Sequence, residues 1–129
     1  MAATPSGVLY TTSKYAVVGM SETLDRELAP QGIRVTVLCP GPVATDIVAR
    51  SAQAQPTVDL NMAEEVKRRT SDTITRVTEA LKHGVSPEAT GEMVLKAVRD
   101  NNLYVHTDRT MIGMIEARCR ALLDAMPAA

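Results

Sequence analysis

The 129 residues contain no phenylalanine and no tryptophan, and their aromatic content is three tyrosines. A core must therefore be built from Val, Leu, Ile, Met and Ala, a set that suits close packing of helices on a sheet. Cysteine is scarce as well. Cys39 and Cys119 are the only two, one in a predicted strand and one in a predicted helix, without metal-ligand spacing. Two buried, reduced thiols in a cytosolic protein are the expectation, and no metal is expected. Neither charge is in excess: 14 Lys and Arg face 15 Asp and Glu, a net charge of −1. Neither a nucleic-acid partner nor an acidic tail for a basic one is indicated. No apolar run is long enough to span a bilayer, so no membrane association is expected. Residues Met1–Gly7 lack the basic start and apolar stretch of a secretory signal, which favours a cytoplasmic location.

With 45% apolar and 22% charged residues, the chain reads as one soluble, globular domain. Between Leu9 and Ala29 the pattern is helical, with Val17, Met20, Leu24 and Leu28 on one inward face. Thr12, Ala16, Gly19 and Thr23 form a second stripe of small residues, along which another helix could approach closely. Pro30 and Gly32 end this helix. Ile33–Cys39 is almost entirely apolar or β-branched, the pattern of a strand covered on both faces in a parallel sheet. Pro40-Gly41-Pro42 stops it. Residues Ala44–Asp59 have little periodicity and read as loop with some helix.

Met62–Lys82 is an amphipathic helix with Met62, Val66, Thr73, Ile74, Val77 and Leu81 inward, closed by His83-Gly84. Ser86-Pro87-Glu88 is a helix start: Ser86 caps, Pro87 fits the first helical position, and Glu88 meets the positive end of the dipole. That helix reaches about Asp100, and Asn101-Asn102 turns the chain. A strand over Leu103–His106 and a helix over Arg109–Met126 follow. The helix carries Met111, Ile115, Leu122 and Met126 on one side. Such alternation implies an α/β fold with a parallel sheet. Two strands are few for such a sheet, so further strands are expected before residue 1.

The chemistry concentrates at Tyr10 and Lys14. A spacing of four places both side chains on one face of the first helical turns. A phenol ordinarily holds its proton too tightly for exchange at neutral pH, and a nearby ammonium favours the phenolate. The pair can therefore serve as a general acid/base. On its own the spacing is common on surface helices; its context makes it specific. Tyr10-Thr11-Thr12-Ser13-Lys14-Tyr15-Ala16 opens a small-residue helix, followed by Gly32-Ile33-Arg34-Val35-Thr36-Val37-Leu38-Cys39-Pro40-Gly41-Pro42-Val43-Ala44-Thr45.

This succession resembles the short-chain dehydrogenase/reductase family: Tyr-x-x-x-Lys on a helix, an apolar strand, Pro-Gly, and a Thr a few residues on. The resemblance is dense over Tyr10–Thr45 and looser beyond. It implies the C-terminal part of a Rossmann-like, doubly wound parallel sheet whose N-terminal half is missing. It further implies an NAD(P)-dependent oxidoreductase interconverting a ketone or aldehyde and an alcohol. Tyr10 would be the acid in carbonyl reduction and the base in alcohol oxidation. Lys14 would bind the nicotinamide ribose hydroxyls and favour ionisation of Tyr10. Pro40, Gly41 and Val43 would form the turn beside the nicotinamide, and Thr45 would add a hydroxyl near its carboxamide or the diphosphate. Ligands in open parallel sheets do gather at the carboxyl ends of strands.

On this reading residues 1–46 hold the catalytic helix, strand and Pro-Gly turn. Residues 47–84 form the substrate loop and lid, with Ile47, Val48, Val58, Leu60 and Met62 as pocket candidates. Residues 85–129 are the closing helix-strand-helix. His83, His106 and the Glu64–Arg69 charges read as structural or solvated.

Three family features are absent from the 129 residues. No glycine-rich strand-turn-helix cradles a pyrophosphate. No residue that would choose between NAD and NADP is present. No serine stands about a dozen residues before Tyr10; Ser6 is too close, and Ser13 lies inside the motif. The chain alone is therefore expected to be inactive. Two functions remain open: a piece of an oxidoreductase acting on small carbonyl or alcohol substrates, or a non-catalytic module. In the full-length form helix 10–29 would support a homo-oligomer; in a non-catalytic module its small-residue stripe would support pairing with a full-length relative.

Overall fold

The computed structural model describes residues 7–54 and 63–127. The described elements run α1 (Val8–Leu28), a 3-10 turn (Ala29–Gln31), β1 (Val37–Leu38), α2 (Ile47–Ala54), α3 (Glu64–Lys82), α4 (Pro87–Arg99), β2 (Tyr104–Val105) and α5 (Ile112–Asp124). The strands β1 and β2 pair in parallel, Val37 opposite Tyr104 and Leu38 opposite Val105. The fold is α/β with a short parallel sheet. No described helix is long and apolar enough to cross a membrane. The chain divides into two units, one of residues 1–41 and 91–129, the other of residues 42–90.

In the first unit, α1 starts after Gly7, whose φ of 91° suits glycine. It runs through the 3-10 turn to Gly32, left-handed at φ 74°, whose N–H donates to the Ala29 carbonyl. The buried residues of α1 are Ser21 and Asp25. This corrects the expected inward face: Val17, Met20 and Leu24 are exposed. No described layer covers them, whereas the polar face meets the segment leading into β1.

Asp25 makes that contact. Its carboxylate accepts from Arg34 Nε at 2.9 Å, Arg34 Nη2 at 3.0 Å and the Val35 N–H at 3.0 Å. The Tyr104 hydroxyl donates to Glu22 Oε1 at 2.6 Å, tying α1 to β2 as well. That bond to an anionic acceptor, reinforced by desolvation, raises the Tyr104 pKa.

The Arg34 hydrogen bond, then the Val35 amide, hold the Asp25 carboxyl below the usual carboxylate range. A depressed folded-state value contributes stability above the ordinary carboxylate pKa, lost as pH falls through the folded one. Asp25→Asn should therefore destabilise the chain at pH 7 and flatten its acid limb. Urea unfolding followed by helical dichroism at submicromolar concentration, at pH 7 and near pH 3, reads this. An unchanged pH slope would count against Asp25 as the acid-sensitive tie.

Both strands are shorter than the predicted Ile33–Cys39 and Leu103–His106. Ladder bonds flank the paired residues, Val37 N–H to Leu103 O at 2.7 Å and Cys39 N–H to Val105 O at 2.8 Å. Upstream, the Val35 amide goes to Asp25, and the Thr36 hydroxyl donates to the Asn102 carbonyl. β1 is also covered on one face, not two: Val37 and Cys39 are buried, while Leu38 is 38% exposed. Its second edge has no neighbour among the described residues. The last helix begins at Ile112, and Cys119 on it is exposed, against the expectation of two buried thiols. Leu122 and Met126 are exposed too.

In the second unit, α2 and α3 precede the Ser86 start of α4. The Ala89 N–H donates to Ser86 Oγ at 3.1 Å, so the cap forms as the sequence implies. Val66, Ile74 and Val77, expected inward on α3, are exposed. The Glu64–Arg69 run forms exposed ion pairs within the helix, as expected of a solvated face. His83 caps the C-terminus of α3 and is exposed. At the far end of α4, in the first unit, Asn101 takes φ 55° and the Asn102 N–H reaches back to the Ala97 carbonyl, a left-handed helix stop.

Candidate active site

The helical register of α1 brings Tyr10 and Lys14 together. Lys14 Nζ stands over the Tyr10 ring, 5.3 Å from its centroid, within cation–π range. Both side chains are exposed, so they are open to a ligand. Ser13 inside the motif spends its hydroxyl on the Tyr10 carbonyl at 2.7 Å, a local helix bond.

Pro40 and Gly41 follow β1 in the same unit. The Gly41 N–H donates to Thr107 Oγ1 at 2.9 Å, and the Thr107 hydroxyl donates to Asp108 Oδ2 at 3.0 Å. Asp108 Oδ1 accepts the Thr110 N–H at 2.7 Å. The Thr110 hydroxyl and amide, then smaller contributions from Thr107 and His106, hold the Asp108 carboxyl below its ordinary value against the effect of burial. A Cβ built on Gly41 would fall 1.9 Å from Asp108 Oδ2, so a side chain there would require the carboxylate to move. A cavity of about 220 Å³ opens beside the turn, lined among others by Cys39, Gly41, His106, Asp108 and Met111. Burial pushes the Cys39 thiol pKa up, which makes it a poor nucleophile. Among the described residues no hydrogen bond or ion pair joins Tyr10 or Lys14 to this turn.

Val43 and Thr45 belong to the second unit. Val43 bridges in parallel to Val85: the Val85 N–H donates to the Pro42 carbonyl at 3.0 Å, and the Ala44 N–H to the Val85 carbonyl at 2.9 Å. The backbones approach so closely that a Cβ on Gly84 would lie 2.5 Å from the Pro42 oxygen. Thr45 and Val48 line a cavity of about 510 Å³ with Asp46, Thr78 and Leu81, between α2 and α3. Ile47 is exposed and does not line it. Val58, Leu60 and Met62, the other pocket candidates, lie outside the described residues. Thr107 and Asp108 were not foreseen; the only hint in sequence is a Thr-Asp pair directly after the second strand.

Residues 1–56 match the family model described as short chain dehydrogenase. The short-chain dehydrogenase anuF of Penicillium roqueforti is 34% identical over 103 residues, 80% of this chain and 33% of that protein. The short-chain dehydrogenase RED2 of Pyricularia oryzae is 35% identical over 88 residues, 68% of this chain and 32% of that protein. A short chain dehydrogenase/reductase from Burkholderia phymatum, solved in complex with NAD, superposes with a TM-score of 0.78 at 22% identity, over 98% of this chain and 46% of that one. The chain thus spans about a third of the length of these two curated relatives. Sequence similarity to the relatives and the shared backbone agree, and the chain belongs to the short-chain dehydrogenase/reductase family.

Proposed function

We propose that this chain supplies the acid/base and nicotinamide-facing part of an NAD(P)-dependent oxidoreductase that interconverts a ketone or aldehyde and an alcohol. The observation that carries the reading is the exposed Tyr10 ring with the Lys14 ammonium over it, on the first turns of α1. In reduction the Tyr10 hydroxyl gives its proton to the carbonyl oxygen; in oxidation the phenolate takes the alcohol proton. A nicotinamide dinucleotide, when bound, supplies or accepts the hydride.

Each unit carries groups of the kind that the nicotinamide end of that cofactor would use. Lys14 offers three donors to ribose hydroxyls. The Pro40–Gly41 turn presents backbone at the carboxyl end of β1, where ligands of parallel sheets gather, while the Cβ side of Gly41 is taken by the Asp108 carboxylate. Val43 backbone groups and the Thr45 hydroxyl are donors and acceptors for a carboxamide. For the pyrophosphate the 129 residues offer no glycine-rich turn before a helix. The chain by itself is therefore proposed to bind NAD or NADP weakly and to be inactive.

The experiment joins the 129 residues to the remainder of a family relative and follows NADH or NADPH oxidation with a panel of ketones and aldehydes. Turnover with any of them supports the reading. A folded hybrid that binds neither dinucleotide sinks it. The small-residue stripe on α1 favours a homo-oligomer in addition. Thr12, Ala16, Gly19 and Thr23 are all exposed, and Gly19 faces open space, so a helix from a second copy could approach closely.

A further inference from the structure

Past Cys39, whose N–H makes the last bond of the ladder, β1 no longer holds the chain that follows it. The Pro40–Gly41 turn is held from the segment after β2 instead. Three consecutive links do this: the Thr110 N–H to Asp108, the Thr107 hydroxyl to Asp108, and the Gly41 N–H to Thr107. A hydroxyl has one proton. Because Thr107 gives it to Asp108, its lone pairs are left for the Gly41 amide, and the direction of the bond is set. Thr107 is buried, so water does not readily substitute for it. Asp108 also acts as a stop, since its carboxylate fills the space where a side chain at Gly41 would go. Gly41 is thus tethered by one residue and blocked by the next.

We infer that Thr107 and Asp108 are positioning residues that set the Pro40–Gly41 turn where it meets the nicotinamide. The inference rests on reading that turn as nicotinamide-facing. Neither residue needs to touch the cofactor. Their effect passes through the Gly41 amide, and displacing a reacting group by about 1 Å can cost roughly a hundredfold in rate.

Two measurements test this. In the 129-residue chain at submicromolar concentration, below the range in which it is expected to associate, amide hydrogen exchange is read residue by residue with mass spectrometry. Thr107→Val should speed exchange at Gly41 at least tenfold and leave Cys39, held by the ladder, unchanged; Thr107→Ser should restore protection. Unchanged exchange at Gly41 overturns the tether. In the hybrid with a family relative, Thr107→Val should lower kcat about 10–100-fold, with KM for the dinucleotide within about threefold, because the phosphates are bound elsewhere. Thr107→Ser should recover most of the loss. A Thr107→Val hybrid with near-parental kcat, or with kcat and thermal midpoint falling together and no rescue by serine, overturns the positioning role. A parent hybrid without turnover counts against the oxidoreductase reading instead, and exchange at Gly41 then decides the tether by itself.

Discussion

Tyr10→Phe should lower turnover of the hybrid with a family relative by about a hundred- to ten-thousandfold, the range general acid/base catalysis contributes. The change removes one hydroxyl. Tyr10 is 54% exposed, so no buried polar partner is orphaned and no cavity opens. The ring remains, and with it the surface over which Lys14 stands. Helix propensities of tyrosine and phenylalanine are nearly equal, so α1 should keep its first turns. The expected result is a folded protein that binds dinucleotide and does not turn over. Lys14→Ala should behave differently, raising KM for the dinucleotide as well as lowering kcat, because on the proposed reading the ammonium that stands over the phenol would also meet the ribose. Steady-state kinetics with matched thermal melts distinguish the two. A Tyr10→Phe enzyme reducing carbonyls at near-normal rate would remove Tyr10 from the mechanism.

The second large effect concerns the 129 residues expressed alone: they should self-associate. Among the described residues the buried apolar ones are Val37, Cys39, Ala97 and Val105, and no described side chain is fully enclosed. Val17, Met20 and Leu24 line one exposed face of α1, and Val66, Ile74 and Val77 one of α3. Exposed apolar area of this kind, together with the open edge of β1, favours association with another chain. Sedimentation should show species that grow with concentration in the micromolar range, and a hydrophobic dye should bind strongly. Joining the remainder of a family relative should suppress both. A monodisperse monomer at about 50 μM that binds no dye would mean these faces are tolerated by water, and the prediction would fail.

The helices were legible in the sequence because their boundaries are set locally. Gly32 stops α1, Ser86 and Pro87 start α4, and the asparagines at 101 and 102 end it, each through bonds to residues a few positions away. The Tyr10–Lys14 pair was legible for the same reason, since a spacing of four is fixed by the helix. The strand lengths and buried faces were not. A strand is as long as its partners allow, and among the described residues β1 has one partner, while Asp25 takes the Val35 amide. The apolar stripe on α1 says which face seeks cover, but cover comes from elsewhere in space. Only the structure puts Ser21 and Asp25 on the side that is buried. Thr107 was invisible for a related reason: its bond to Gly41 spans 66 residues, and no local pattern encodes it.

The ties between α1 and the sheet have a mechanical consequence. Glu22 and Asp25 both lie in the C-terminal half of the helix, Arg118 of α5 stands over the Tyr15 ring at 5.2 Å from its centroid, and Tyr10 sits on the first turn, beside exposed Val8 and Leu9. From Asp25 to Tyr10 is 15 residues, roughly 22 Å of lever at 1.5 Å per residue. An angular play of about 5° at the pivot swings the phenol through about 2 Å, enough to make or break a hydrogen bond. The accuracy with which a proton is delivered at one end therefore depends on the stiffness of the carboxylate–guanidinium tie at the other and on the Arg118–Tyr15 contact that braces the helix between them. Substitutions there would register first as imprecision in aim, before any loss of helix.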